Sequence, residues 1–271
     1  MFKDLDEFQI NLLNIEDYSE NSKSRLRFWF KHIKDNALND DGDIFEFGVF
    51  RGSSLIAAAL ILKEMGSKKK IFGFDSFEGF PSYSEKDDLE NFYKYKGKIF
   101  DEKFIDKFEK FKELKKKITG LNNFDKISIA SSGNFSETSF EDIKKKIEYL
   151  ELDNVKIVKG PFSETVKEFF ERNNYKISSA NLDCDLYEGY KICLPIIFNN
   201  LSKSGFIHLD EYYSFKYPGA RIACDEFFEE KNIKPLKNKT RKNEFERWYI
   251  TKWKSELKNS LIKKENPKLF V

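Results

Sequence analysis

A doubly wound α/β fold, with a mostly parallel seven-stranded sheet covered by helices on both faces, is what this sequence predicts. Three observations predict it. The apolar run at 44–47 ends in a turn carrying Gly48 and Gly52 and passes directly into the helical stretch Ala57-Ala58-Ala59-Leu60-Ile61-Leu62. Strand-like and helix-like segments then alternate along the chain, the rhythm of βαβ units and parallel pairing. Acidic residues recur where strands end: Asp75 after 70–74, Asp183 and Asp185 after 179–182, and Asp210 and Glu211 after 206–209. Acids are poor strand residues, so their place is the sheet edge.

The elements follow in order. Residues 1–38 read as a helical N-terminal extension whose apolar face comes from Phe28, Trp29, Phe30 and Ile33. That aromatic segment can serve a homodimer interface or simply close the core. A strand at 44–47, a helix at 53–65 and a strand at 70–75 come next. Residues 82–120 are rich in Lys, Asp, Glu, Phe and Tyr and break the rhythm, as an inserted helical or mobile cover over the site or as a surface helix pair. Strand character resumes at 127–130 and, after a helix at 139–150, at 155–158. A helix at 164–172, a strand at 179–183, a helix at 187–201 and a strand at 206–210 continue the pattern. A helix at 220–230 precedes segments 233–236 and 247–250, which can pair as a terminal hairpin. No Ser/Gly-rich linker or repeat interrupts the chain, so 1–271 reads as one domain, with a Lys-rich peripheral tail from about 255.

Composition narrows the function classes. The chain has 271 residues, enough for a substantial core, and 48 Lys plus Arg against 46 Asp plus Glu, a formal net charge of +2. That balance speaks against nucleic-acid partners. The lysine triplets 68–70, 115–117 and 144–146 lie beside acids on helical patterns and read as solvated faces. Cys184, Cys193 and Cys224 form no CxxC pair, which suggests reduced thiols in a cytoplasmic protein and no zinc site. No apolar run approaches the ~18 residues of a membrane span, and the N-terminus lacks a signal core.

The first βα turn carries the first chemical signal. Gly48-Val49-Phe50-Arg51-Gly52 is G-x-x-x-G, so the dinucleotide fingerprint G-x-G-x-x-G is missing. Glu46 closes the strand, Ser53 and Ser54 open the helix, and Asp75 stands at the second strand tip, where an acid commonly takes ribose hydroxyls. A cofactor with a ribose and an amino-acid zwitterion suits this arrangement: Glu46 for an ammonium, serines and free helix amides for a carboxylate. S-adenosylmethionine has those groups. An ordinary turn with helix-capping serines explains the motif alone equally well.

The second signal is acidic. Asp183 and Asp185 share parity on an extended chain, and Asp210 follows one right-handed crossover later, so these carboxylates converge at one sheet edge near Glu46 and Asp75. Clustered carboxylates repel unless a cation joins them, and oxygen-only ligands favour Mg2+, Mn2+ or Ca2+. A hard cation beside a methyl donor can hold two substrate hydroxyls and lower the pKa of one. A carboxylate outside its coordination shell can then take the proton. His208, of the same parity as Asp210, reads mainly as a core histidine; Tyr187, Tyr212 and Tyr213 are open between packing and lining an acceptor pocket.

These residues resemble the macrocin, mycinamicin and novobiocin sugar O-methyltransferases. The matching motifs run in family order from about 42 to 250. They are Gly42-Asp43-Ile44-Phe45-Glu46-Phe47-Gly48-Val49-Phe50-Arg51-Gly52, Asp75-Ser76-Phe77-Glu78-Gly79-Phe80-Pro81, Asn134-Phe135 and Val158-Lys159-Gly160-Pro161-Phe162-Ser163-Glu164-Thr165. Then come Leu182-Asp183-Cys184-Asp185-Leu186-Tyr187, Asp210-Glu211-Tyr212 and Gly219-Ala220-Arg221. The resemblance implies a Rossmann-like class I methyltransferase fold and direct methyl transfer from S-adenosylmethionine to a sugar or glycoside hydroxyl, aided by Mg2+ or Mn2+. By the same analogy Asp183, Asp210 and Glu211 are the metal ligands and Asp185 is the general base. Glu46, Gly48, Ser53, Asp75, Ser76, Phe77 and Gly79 contact the cofactor, with Asn134 and Phe135 near its adenine. Two departures stand out: Glu211 where the family usually carries a second Asp, and the poorly matching 82–120 segment, which would govern the acceptor. Two other readings compete: a glycosyltransferase using Asp183-Cys184-Asp185 as a metal-binding D-x-D, and a non-catalytic cofactor-binding scaffold. Neither the acceptor nor its pathway, natural product or surface polysaccharide, is specified by the residues.

Overall fold

The computed structural model describes residues 5–38, 42–130 and 134–252. Two helices, α1 (Glu7–Leu13) and α2 (Arg27–Asn36), precede β1 (Asp43–Phe47), α3 (Ser53–Glu64) and β2 (Ile71–Asp75). The inserted stretch holds a 3-10 turn (Glu85–Asp87), α4 (Asn91–Lys94) and α5 (Glu102–Thr119). The framework resumes with α6 (Phe140–Tyr149), β3 (Val155–Lys159), α7 (Phe162–Arg172), β4 (Ile177–Leu182), α8 (Tyr187–Asn200) and β5 (Leu201–Leu209). A second 3-10 turn (Asp210–Tyr213), α9 (Pro218–Lys231), β6 (Leu236–Lys237) and β7 (Trp248–Thr251) complete the described chain. The expected tail from 255 lies outside the described residues, and among them no helix is long and apolar enough to cross a membrane.

The seven strands form one sheet in the order β3-β2-β1-β4-β5-β7-β6. The first five are parallel and the last two antiparallel, as the expected hairpin requires. Strand order reverses between β1 and β4, and in such sheets the crevice at that switch point, outside the strands' carboxyl ends, is where ligands bind. Both faces are covered. Ile44 packs with α2, α3 and α6, while Phe45 and Phe47 point to the opposite layer with Val166, Ile197 and Phe227 from α7, α8 and α9. Every residue from Leu55 to Leu62 in α3 is buried, which is possible only because the N-terminal extension lies over it. Trp29, Phe30 and Ile33, each no more than 1% exposed, do that covering, so this segment closes the core.

Two expectations need correction. Residues 127–130 are not a strand. The Asp125 carboxylate accepts from the amides of Ile127 and Ser128 and from the Ser128 hydroxyl, at 2.8 to 3.0 Å, winding the segment into a turn. Its apolar residues Ile129 and Ala130 instead pack with Leu186 and Tyr217. The extension, read as helical over 1–38, holds two short helices with an irregular strap, 14–26, between them.

The 82–120 insertion is helical and firmly seated. Phe92, Phe100, Phe104, Ile105 and Phe108 form an aromatic cluster with Tyr213, Phe215 and Ile222. Asp87, fully buried, accepts from the Tyr187 amide at the start of α8 and from the Ser84 amide, each at 2.9 Å. Burial pushes its carboxyl up to about 6 against the pull of those amides. Phe104 is the keystone, edge-on to both Tyr213 (5.2 Å) and Phe215 (5.1 Å). Phe104→Ala is expected to lower stability in urea denaturation by about 3–5 kcal/mol and to expose 82–120 to limited proteolysis. A cost under about 1 kcal/mol would mean that the insertion is only loosely attached.

Candidate functional site

The glycine loop is shaped by backbone contacts that leave no room for a side chain. Gly48 sits at φ 97°, and a Cβ there would lie 1.9 Å from the Asp183 carbonyl oxygen. The same crossing is tied by the Asp183 amide donating to the Phe47 carbonyl at 2.9 Å. Asp75 then clamps two loops at once: Oδ2 accepts from the amides of Val49 (2.8 Å) and Phe50 (2.9 Å), and Oδ1 from Phe77 (2.7 Å). Gly79 approaches the Asn134 carbonyl so closely that a Cβ would stand 2.6 Å away, and the neighbouring Phe80 amide donates to that carbonyl at 2.9 Å.

These loops open onto a cavity of about 480 Å3. One side is aromatic: Phe135 packs against Phe80 (5.0 Å) and Phe50 (5.2 Å). Phe50, Phe77, Phe135 and Asp185 all take positive φ, between 50° and 59°, an uncommon density of left-handed non-glycine residues at one site.

The opposite side is charged. Asp183, Asp185 and Glu211 each offer a carboxylate oxygen within 4.8 Å of the others. Asp185 and Glu211 are 8% and 7% exposed. Burial, then Glu211, pushes the Asp185 carboxyl well above the usual range. Burial and the neighbouring acids do the same to Asp183 against the pull of Arg25. Asp210 behaves oppositely. Burial would raise it, but Arg25 and His208 hold it well below the ordinary carboxylate range. Arg25 spans Asp183 (2.9 Å) and Asp210, and Lys216 stands 3.9 Å from Glu211. Proximity to Glu211, then to Asp185 and Asp210, outweighs burial and raises the Lys216 ammonium pKa.

Of the residues singled out from sequence, Gly48, Asp75, Ser76, Gly79, Phe135, Asp183, Asp185 and Glu211 line this cavity. Ser53 does not: its hydroxyl turns to Glu16 Oε2 at 3.5 Å. Phe77 packs on Phe140 (5.3 Å), and Asn134 contributes its backbone carbonyl to the Phe80 turn. Asp210 is taken up by Arg25 and by His208, whose Nε2 lies 3.4 Å from Oδ1. His208 is a core residue, fully buried within the sheet, where burial lowers its pKa against the pull of Asp210. The three tyrosines pack rather than line: Tyr212 and Tyr213 are buried, and Tyr187 donates to Glu226 at 2.8 Å.

Glu46 does not line the cavity either: it is fully buried beneath the loop, with Oε1 accepting from Asn181 Nδ2 at 3.0 Å and no hydrogen bond to Oε2. Burial pushes its carboxyl up to about 7 despite Ser54 and Asn181. Sequence reasoning missed Arg25, Lys216 and the apolar liner Ile192. Phe80 and Phe162 were already inside matching motifs, a signal available but unused.

The donor set suits a hard cation: all oxygen, clustered, with Glu211 Oε2 buried and unpartnered. The glycine loops, the Asp75 clamp and the aromatic wall suit a nucleoside with an amino-acid tail.

Comparison with known proteins follows the same line. CalS11, a calicheamicin methyltransferase, superposes with a TM-score of 0.57 at 20% identity, over 91% of this chain and 80% of its own. The O-methyltransferase NovP superposes with a TM-score of 0.57 at 18% identity, over 83% of this chain and 77% of its own. Both likenesses are of fold: the Rossmann-like α/β sheet of class I methyltransferases. No curated protein sequence matches significantly. The profile of the macrocin-O-methyltransferase (TylF) family matches residues 20–131 and 125–242. With most of its length matched, the chain belongs to the macrocin-O-methyltransferase family and is an O-methyltransferase enzyme.

Proposed function

We propose that this enzyme moves a methyl group from S-adenosylmethionine to a hydroxyl of a sugar or glycoside, with Mg2+ or Mn2+ at the acidic cluster. One observation carries the reading: a single cavity joins the clamped glycine loops and aromatic wall to the clustered carboxylates. The D-x-D glycosyltransferase reading leaves the Glu46 loop and the Asp75 clamp without a role, and the family match removes its support.

In this reading Glu46 receives the cofactor's ammonium, and Phe50, Phe80 and Phe135 receive its adenine. Asp183, Asp210 and Glu211 hold the cation, which leaves Asp185 outside its coordination shell. A bound divalent ion would hold the acceptor's hydroxyl and lower its pKa. Asp185, with its proton affinity raised by burial and Glu211, takes that proton at its carboxylate as the oxygen displaces the sulfonium. The O–CH3 bond forms as the S–CH3 bond breaks. The acceptor being a sugar rests on the family, whose likeness to CalS11 extends to a structure described as a TDP-rhamnose 3'-O-methyltransferase (TM-score 0.51, 19% identity, 91% of this chain and 81% of that one).

Thermal unfolding with S-adenosylhomocysteine, with and without Mg2+, tests the cofactor directly, because a ligand of the native state raises Tm. A shift is expected with the homocysteine nucleoside; no shift with it, beside one from UDP-sugar over that of Mn2+ alone, would sink the methyltransferase chemistry proposed here. Asp185→Asn is expected to bind S-adenosylhomocysteine like the wild type in calorimetry while losing about 10²–10⁴-fold in turnover against an acceptor panel of nucleotide sugars. Equal turnover would remove Asp185 from proton transfer.

Glu46 supplies a pH signature. Its folded pKa of about 7 lies above the ordinary glutamate value of 4.5, so ionising it costs stability as pH rises from 4.5 to 7. Glu46→Gln should therefore be the more stable protein at pH 8, by up to about 3 kcal/mol. Pairing with an ammonium requires the ionised form. Nucleoside affinity in the wild type should consequently climb with pH, up to about tenfold per unit, and level off above 7. Glu46→Gln should lose that slope. A flat wild-type profile would detach Glu46 from the cofactor.

A further inference from the structure

Arg25 belongs to the strap between α1 and α2, far in sequence from the carboxylates it meets. Its guanidinium divides between two of them: Nη2 donates to Asp183 Oδ2 at 2.9 Å, and Nη1 pairs with Asp210 Oδ2. The two acids differ from their partner in exposure. The Arg25 side chain is 44% exposed, whereas those of Asp183 and Asp210 are 14% and 4% exposed. The guanidinium borders the open space of the cavity, which gives it room to move that the acids lack.

The strap does not depend on that contact. Tyr18 donates to Glu64 Oε1 at 2.6 Å, Lys34 Nζ to the Tyr18 carbonyl at 2.7 Å, and Arg241 to the Asn21 carbonyl at 3.3 Å. Leu26, beside Arg25, is 1% exposed. Release of the guanidinium is a side-chain rotation on an anchored backbone.

The consequence lies in how the acids are shared. With Arg25 in place, Asp210 Oδ2 is engaged while its Oδ1 makes no hydrogen bond, and the oxygens that gather for a cation are those of Asp183, Asp185 and Glu211. Asp185 would then be a ligand, and a carboxylate bound to a dication is a poor proton acceptor. For Asp185 to serve as base, Asp210 must replace it at the cation. A guanidinium and a hard dication cannot share one pair of oxygens, since the ion sits at about 2.0–2.6 Å from its ligands and both compete for the same lone pairs.

We propose that Arg25 is a built-in counter-cation of the acidic cluster, holding Asp183 and Asp210 until a divalent ion displaces it and takes over both carboxylates. This rests on the divalent-cation reading of the same site. Arg25 is thus a positioning residue: it keeps two buried carboxylates paired before metal arrives, avoiding the cost of isolated buried charge. Its departure assigns Asp210 to the metal and leaves Asp185 free for the proton.

The test is Mn2+ binding by the full chain, read from the electron paramagnetic resonance of free Mn2+, with thermal unfolding beside it. Arg25→Gln should bind Mn2+ at least tenfold tighter than the wild type, melt lower than the wild type in EDTA, and gain the larger increase in Tm on adding metal. Arg25→Lys keeps the charge without the two-pronged fork and should fall between them. It also decides the matter should Arg25→Gln fail to fold without metal: tighter binding than wild type supports displacement, equal or weaker binding overturns it. Equal or weaker Mn2+ binding by a folded Arg25→Gln likewise overturns it. Asp183→Asn separates the two levels. Wild-type binding that vanishes in Asp183→Asn but is not improved by Arg25→Gln defeats the displacement alone. No binding in the wild type or either Arg25 variant, or binding indifferent to Asp183→Asn, defeats the cation site and the displacement together.

Discussion

Four carboxylates meet in a nearly dry corner of this molecule, and much of the surrounding structure answers that charge. Parallel strands deliver their carboxyl ends to one edge, so neighbouring β4 and β5 bring Asp183 and Asp185 beside Asp210 and Glu211. Like charges at such range in a poorly polarisable setting cannot all remain ionised without compensation. Compensation comes unevenly. Arg25 and His208 keep Asp210 ionised, while Asp183 and Asp185 are driven toward the protonated form. One neighbourhood thus contains acids with opposite proton affinities, Asp210 beside Arg25 on one side and Asp183 and Asp185 on the other.

The other end of the cavity is governed by backbone rather than charge. Asp75, expected as a ligand for ribose, spends three hydrogen bonds on the amides of Val49, Phe50 and Phe77. It fixes two loops that line the cavity, and any ribose hydroxyl would use the lone pairs that remain. The positive φ values of Phe50 and Phe77 belong to the same device, since Asp75 accepts from both of their amides. Glu46 is positioned with less compensation: one amide from Asn181, one oxygen without a partner, and a carboxyl that burial drives toward neutrality. An incoming ammonium would supply what its surroundings withhold.

What the sequence revealed and what it concealed divide along the range of the interactions involved. The β1 turn, the acids at the strand tips and the βα alternation are local patterns, and each stands where its residues suggested. The segment 127–130 misled because its β-branched alternation was outweighed by Asp125, whose carboxylate winds the chain into a turn. Ser53 has the identity of a ligand and the position of a helix start, yet the strap supplies Glu16 to its hydroxyl. Arg25 carried no local signal: in Ser22-Lys23-Ser24-Arg25-Leu26 it is one basic residue among polar neighbours, and its meaning arises from a contact with residues more than 150 positions away.

The N-terminal extension unites these threads. An α3 that is apolar on every side is a liability until something covers its outer face, and Trp29, Phe30 and Ile33 do so. Their packing fixes α2, and the entry into α2 fixes where Leu26 is buried and where Arg25 begins. A hydrophobic requirement of the fold therefore determines the position of a charged group at the site. Core packing places the strap that carries the guanidinium, and the acids, once buried, need a cation beside them. Helix cover and site electrostatics are in this sense one structural decision, made by the segment that ends with α2 and lies outside the βα framework.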